Sequence, residues 1–114
     1  MTTAAAPPPA SGVSVELLGQ VELGAEIPGM EGRLLRMRLV TIEPGGVLGP
    51  LHDHVDRPGL VFVLRGTVTD HREGGSQDYG PGPGWPEDRH SVHWLENTGA
   101  EPAVEISVDI VRQD

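Results

Sequence analysis

The chain contains no cysteine, which excludes disulfides, thiolate zinc sites and a cysteine nucleophile; the compartment stays open on this criterion, because a thiol-free chain tolerates either redox environment. Aromatic residues are scarce at 4%, whereas there are 16 glycines and 11 prolines. Turns therefore cut the chain into short segments, which suits an all-β domain and not a helical bundle. Positive charge is also short, with eight basic residues against 17 acidic ones and a formal net charge of −9. Phosphate backbones and anionic lipid surfaces repel such a molecule, so no nucleic acid partner is expected. No apolar run is long enough to cross a bilayer, and "MTTAAAPPPASG" lacks the basic start and apolar centre of a signal peptide. A soluble cytoplasmic protein with no membrane partner is expected. The 114 residues suffice for one domain with a single core.

Residues 1–12 are Ala/Pro-rich sequence that cannot bury enough apolar surface to order itself, so they are expected to form a disordered tail ahead of a domain at 13–114. From Val13 onward β-prone runs alternate with Gly/Pro punctuation: Val13–Leu18, Leu34–Ile42, Leu60–Thr69, Ser91–Leu95 and Val104–Val111. In the last run Val104, Ile106, Val108 and Ile110 alternate with Glu105, Ser107 and Asp109. That period predicts a half-buried strand with its aliphatic face on the core and its polar face in water. The stretch Leu60-Val61-Phe62-Val63-Leu64 is apolar throughout and stops at Arg65-Gly66, which predicts an interior strand buried on both faces and closed by a tight turn. Short strands without helices favour an antiparallel sandwich, jelly roll or barrel.

The chemistry concentrates in "GPLHDHVDRPG", residues 49–59. His52 and His54 are one residue apart, so on an extended backbone both imidazoles point to one face and Asp53 to the other. Imidazole suits zinc, copper, iron and nickel, but a catalytic site needs about three protein ligands, so a third must come from elsewhere. A His-x-His in a polar loop is otherwise merely solvated.

Gly46, His52 and His54, followed by "GLVFVLRG" ending at Gly66, resemble the first conserved stretch of the cupins, G-x5-H-x-H-x(3,4)-E-x6-G. Gly82 and then "HWLEN", His93–Asn97, are similar to the second stretch, in the expected order. The resemblance covers roughly Gly46 to Asn97, and the flanking strands fit the rest of the fold. It implies an all-β cupin double-stranded β-helix, a jelly-roll barrel, holding a divalent metal ion (Fe, Zn, Ni or Cu) through His52, His54 and His93. It also implies a homodimer and a small-molecule ligand.

Two departures stand out. The glutamate of the first stretch falls on Gly59, and the P-x-G before the second-stretch histidine reads Asp88-Arg89-His90. Three outcomes are open: a three-histidine site with water in the open positions, a four-ligand site completed by Asp56, Glu87 or His90, and a barrel without metal. The three-histidine site stands first, because neutral imidazoles bind first-row metals without a carboxylate.

Trp85 and Trp94 flank His93 and either stack on a substrate or, more commonly, pack as core and rim aromatics. Arg57 and Arg65 bracket the apolar strand and either orient a carboxylate or are simply solvated. His71, among Asp70, Arg72 and Glu73, reads as a loop residue outside the site. No Ser-His-Asp arrangement is readable, and "GPGPG" lacks the Lys-Ser/Thr of a phosphate loop. The leading expectation is thus a small metal-binding cupin, an oxygenase or isomerase type of metalloenzyme acting on a small organic substrate; the alternative is a non-catalytic module that binds a small molecule or is braced by its metal.

Overall fold

A computed structural model describes residues 8–113. Eight strands form one antiparallel, curled sheet: β1 (Ser11–Glu22), β2 (Arg33–Asp53), β3 (Gly59–Arg65), β4 (Val68–Arg72), β5 (Gly75–Tyr79), β6 (Trp85–Glu87), β7 (Val92–Glu96) and β8 (Ala103–Arg112). Their order is β5-β4-β7-β2-β8-β3-β6, with β1 along β2. Of the tail expected over residues 1–12, residues 1–7 lie outside the described residues, and β1 begins at Ser11.

The 21-residue β2 organises the barrel, since its first half pairs with β1 and β8 and its second half with β7. Between the halves lies Glu43-Pro44-Gly45-Gly46, where proline and glycine bend the strand and start a new course. The bend is tied to the second histidine-bearing stretch: the Gly45 amide donates to the Asn97 carbonyl, the Asn97 amide to Gly46, and the Asn97 side-chain amide to the Ile42 and Glu101 carbonyls. The β-prone run Leu60–Thr69 is two strands, β3 and β4, parted by the tight turn expected at Arg65-Gly66. Gly66 has a φ of 79° and a Cβ there would stand 2.6 Å from the Pro102 carbonyl oxygen, so only glycine fits.

The core lies at one end of the barrel, where Val40, Ile42, Val61, Val63, Val68, Trp85, Leu95 and Ala103 pack together. Two expectations about faces are corrected here. In β8 the polar set Glu105, Ser107 and Asp109 is the buried one, and Val104, Ile106, Val108 and Ile110 are half-buried on the outside. The alternation is real, but the interior of this end is polar because Arg36 and Arg38 of β2 face Asp109 and Ser107 across the register. Likewise β3 is not buried on both faces: Val61 and Val63 point inward, whereas Leu60 is 62% and Phe62 45% exposed.

Candidate metal centre

His52 sits on β2 directly opposite His93 of β7, and His54 follows just past the end of β2. The three rings form a triangle with centroids 4.8–5.1 Å apart, and one nitrogen from each lies within 4.8 Å of the others. Each ring is held by its Nδ1. The Nδ1 of His52 is 3.0 Å from the Pro50 carbonyl, that of His54 is 3.3 Å from the Arg57 carbonyl, and that of His93 is 2.8 Å from Asp70 Oδ1. An oxygen that only accepts fixes the proton on Nδ1 and leaves Nε2 with its lone pair toward the centre.

The Nε2 atoms of His54 and His93 stand 3.1 Å apart. The proton that His93 carries at neutral pH relieves the repulsion of lone pairs so placed, and a divalent ion would relieve it in the same way, so the three imidazoles fit a metal. Burial holds His52 and His54 below the usual imidazole range, so both are neutral at neutral pH. His93 differs: burial works against its charge, but hydrogen bonds from its ring to Asp70 and Glu87 outweigh burial and raise it to about 9. A metal held here would take the place of that proton.

Of the three further residues weighed from sequence, the structure brings only Glu87 to the centre. Its Oε2 is 3.1 Å from His93 Nε2 and 3.6 Å from His54 Nε2. Burial raises its carboxyl, but the hydrogen bond to His93 and the proximity of His54 hold it below the ordinary range, so it is an anion. The reason for this placement lies in the register: Glu87 on β6 is the direct partner of Gly59 on β3, the position where the cupin pattern has its glutamate. A Cβ at residue 59 would stand 2.6 Å from the Val108 carbonyl oxygen, so β3 can carry no side chain there and the carboxylate arrives from the neighbouring strand.

Asp56 does not reach the centre, which corrects the idea that it continues the parity of His52 and His54. The chain leaves the extended conformation after Asp53, Asp56 has a φ of 62°, and its carboxylate pairs with Arg33 and Arg112 on the outside. His90 is exposed in a turn capped by Asp88 and takes no part. Trp85 packs in the core and Trp94 stacks on His71 at 3.9 Å, so neither faces the histidines. His71 also pairs with Glu96 at 2.7 Å, outside the site. Arg65 is exposed at the end of β3, whereas Arg57 faces a cavity beside the histidines.

That cavity, of about 220 Å³, was not visible in the sequence. His52, His54 and Glu87 line it together with Arg38, Glu105, Ser107 and Asp109. Asp70, which orients His93, was also missed: it sits on β4, in the segment that reads as a solvated loop. The available signal was the complementary alternation of "RMR" at 36–38 with "EISVD" at 105–109, which places charges of opposite sign on one face of paired strands.

A family model described as "Cupin domain" matches residues 38–109. No curated protein matches the chain in sequence. Among solved structures, the Cupin_2 domain of an XRE family transcriptional regulator from Enterobacter cloacae is 14% identical, with 87% of this chain and 96% of that one covered and a TM-score of 0.64. KdgF from Halomonas sp. is 18% identical over 90% of this chain and 82% of its own, TM-score 0.69. The polyketide cyclase RemF from Streptomyces resistomycificus is 18% identical over 91% and 68%, TM-score 0.70. At these identities the likeness is one of fold, and the fold is borne by a regulator's domain and a cyclase alike.

Proposed function

The chain belongs to the cupin domain family, and on that premise we propose that it holds one divalent first-row metal through the Nε2 atoms of His52, His54 and His93, with Glu87 as the carboxylate in reach. The observation that carries this reading is the set of three Nδ1 anchors, Pro50, Arg57 and Asp70, which leave the Nε2 side of each ring free while one nitrogen of each histidine lies within 4.8 Å of the others. Bound there, iron, zinc, nickel or copper supplies Lewis-acid polarisation and open positions for water, substrate or dioxygen. The residues around it do the rest. Asp70 keeps the proton of His93 on Nδ1, Glu87 offsets the added positive charge, and Trp85 supports Glu87 through an Nε1–H donated to Oε2 at 3.4 Å.

The activity we propose is of oxygenase or isomerase type on a small organic molecule in the cavity; net charge −9 disfavours a polyanion such as nucleic acid. A non-catalytic binding module is the second reading, favoured by Gly59 at the position of the family's glutamate. Chelation and reconstitution test the metal. Calorimetric titration of chelator-stripped protein with Zn²⁺, Fe²⁺, Ni²⁺ and Cu²⁺ is expected to show one tight site lost in His54→Ala, and no uptake of any ion contradicts the reading. Turnover that disappears on chelation separates enzyme from module.

The same reading includes a homodimer in the cytoplasm. Its support is the outward aliphatic face of β2, β8 and β3, where Met37, Leu60 and Phe62 are exposed beside Ile106 and Val108. A two-fold axis buries such a patch against its own copy. Sedimentation is expected to show a dimer that Phe62→Glu converts to a monomer; an unchanged mass contradicts this part, and cell fractionation checks the compartment.

A further inference from the structure

The cavity beside the histidines holds polar groups for which the metal site has no use. The eight basic residues of this acidic chain are all arginine, and Arg36, Arg38 and Arg57 converge on the single carboxylate of Asp109. Arg36 takes both Asp109 oxygens, at 2.7 and 3.1 Å. Arg38 and Arg57 reach Asp109 only at 3.4 and 3.8 Å, Arg57 also donates to the Asp53 carbonyl at 3.3 Å, and the buried Nε of Arg38 has no partner among the described residues. Across the register from Val40 and Val63 stands Glu105, 2% exposed, whose Oε2 also has no partner among the described residues. Arg38 and Glu105 both line one cavity, together with His52, His54 and Glu87.

A buried donor and a buried carboxyl left unpaired each oppose folding, so a position that keeps both is a position with a use for them. We infer that the cavity is a subsite for a small hydroxylated carboxylic acid, its carboxylate received by Arg38 and Arg57 and a hydroxyl by Glu105. The inference deepens the proposed function and rests on its reading of the barrel interior as the ligand site. Arg36, Arg38 and Arg57 against the carboxylates of Asp109 and Glu87 leave a surplus of positive charge, and a planar fork receives a carboxylate by paired bonds. Burial, with the charge of Glu87 second, pushes Glu105 up to about 8, so it adds no negative charge to repel the acid at neutral pH. A hydroxyl both donates and accepts, and so satisfies Glu105 in either protonation state. At about 220 Å³ the space suits a molecule smaller than the drug-sized ligands of larger pockets.

The test is calorimetric titration with glycerate, tartrate and gluconate, with glycerol, threitol and sorbitol as partners lacking the carboxylate, and propionate, succinate and hexanoate as partners lacking the hydroxyls. At least one hydroxy acid is expected to bind about tenfold or more tighter than both of its partners, because a site built of hydrogen-bonding groups rejects analogues that leave them unpaired. Arg38→Met should abolish the preference over the polyol, Glu105→Met the preference over the deoxy acid, and Arg89→Gln, on the exposed turn, should change neither. If Arg38→Met does not fold, Arg38→Lys decides: weakened acid binding supports the subsite and unchanged binding overturns it. Acids that bind no tighter than their partners, or preferences that survive both methionine variants, overturn the inference. Metal-loaded and chelator-stripped protein are titrated alike. Metal uptake without acid preference overturns the subsite alone, whereas acid preference without metal uptake overturns the metal reading alone.

Discussion

The two ends of the barrel are made from the same strands with opposite chemistry. Toward one end β2, β3 and β8 turn Val40, Ile42, Val61, Val63 and Ala103 inward against Val68, Trp85 and Leu95. Toward the other end the same inward rows continue as Arg36 and Arg38, as Gly59, and as Ser107 and Asp109, with Glu105 at the border beside Val40 and Val63. Dry aliphatic contact stabilises the first end. The second buries arginines, carboxylates and imidazoles, which oppose folding unless paired. One end carries the fold; the other opposes it, and that cost is the one the proposed binding site accounts for.

Truncating the apolar end should have the largest effect. Leu95→Ala is expected to lower unfolding free energy by about 2–5 kcal/mol in urea denaturation, since Leu95 is 1% exposed within the aliphatic cluster, while the folded fraction keeps its metal stoichiometry because all three histidines remain. The polar end should answer to pH instead. Glu105, raised to about 8, keeps in the native state a proton that the unfolded chain releases above 4.5, so its contribution is full below 4.5 and lost as pH rises to 8. His93, raised to about 9, has the same sign, full below 6.5 and lost through 9. Metal-free protein should therefore lose stability as pH climbs from 6.5 to 8, where both losses overlap, and Glu105→Gln should flatten part of that slope in thermal melts.

The carboxylate behind His93 gives the next effect. Asp70→Asn keeps the shape but weakens the hold on His93 Nδ1 and should reduce metal affinity by about 10–100-fold in competition titrations. The smallest expected change has the opposite sign from the first. Glu105→Met removes an unsatisfied buried oxygen from the border and should raise stability by about 1 kcal/mol at neutral pH. Loss of stability in that variant would mean that Glu105 is part of the core end after all.

The sequence made the first of these ends easier to see than the second. Aliphatic runs located β1, β2, β3, β7 and β8, and the two histidine-bearing stretches pointed to a cupin barrel, which the family match and the fold bear out. Gly75–Tyr79 and Trp85–Glu87 escaped notice because a strand of "GSQDY" or "WPE" carries no apolar period and exists through pairing with its neighbours. The faces of β8 were inverted because periodicity tells which residues share a face, while the content of the barrel decides which face is inside. Asp56 misled because parity holds only while the backbone stays extended, and it turns after Asp53. Glu87 was singled out for its nearness to His93 in the chain, but what puts it beside the histidines is its pairing with Gly59, a register no local pattern encodes.

The central claim, that the polar end is a metal site, is tested most directly by elemental analysis of untagged protein purified without added metal, beside the His52→Ala/His54→Ala double variant. The account predicts about one iron, zinc, nickel or copper ion per chain in the native protein and none in the variant. A metal-free native protein that takes up none of the four ions when each is added in turn would contradict it.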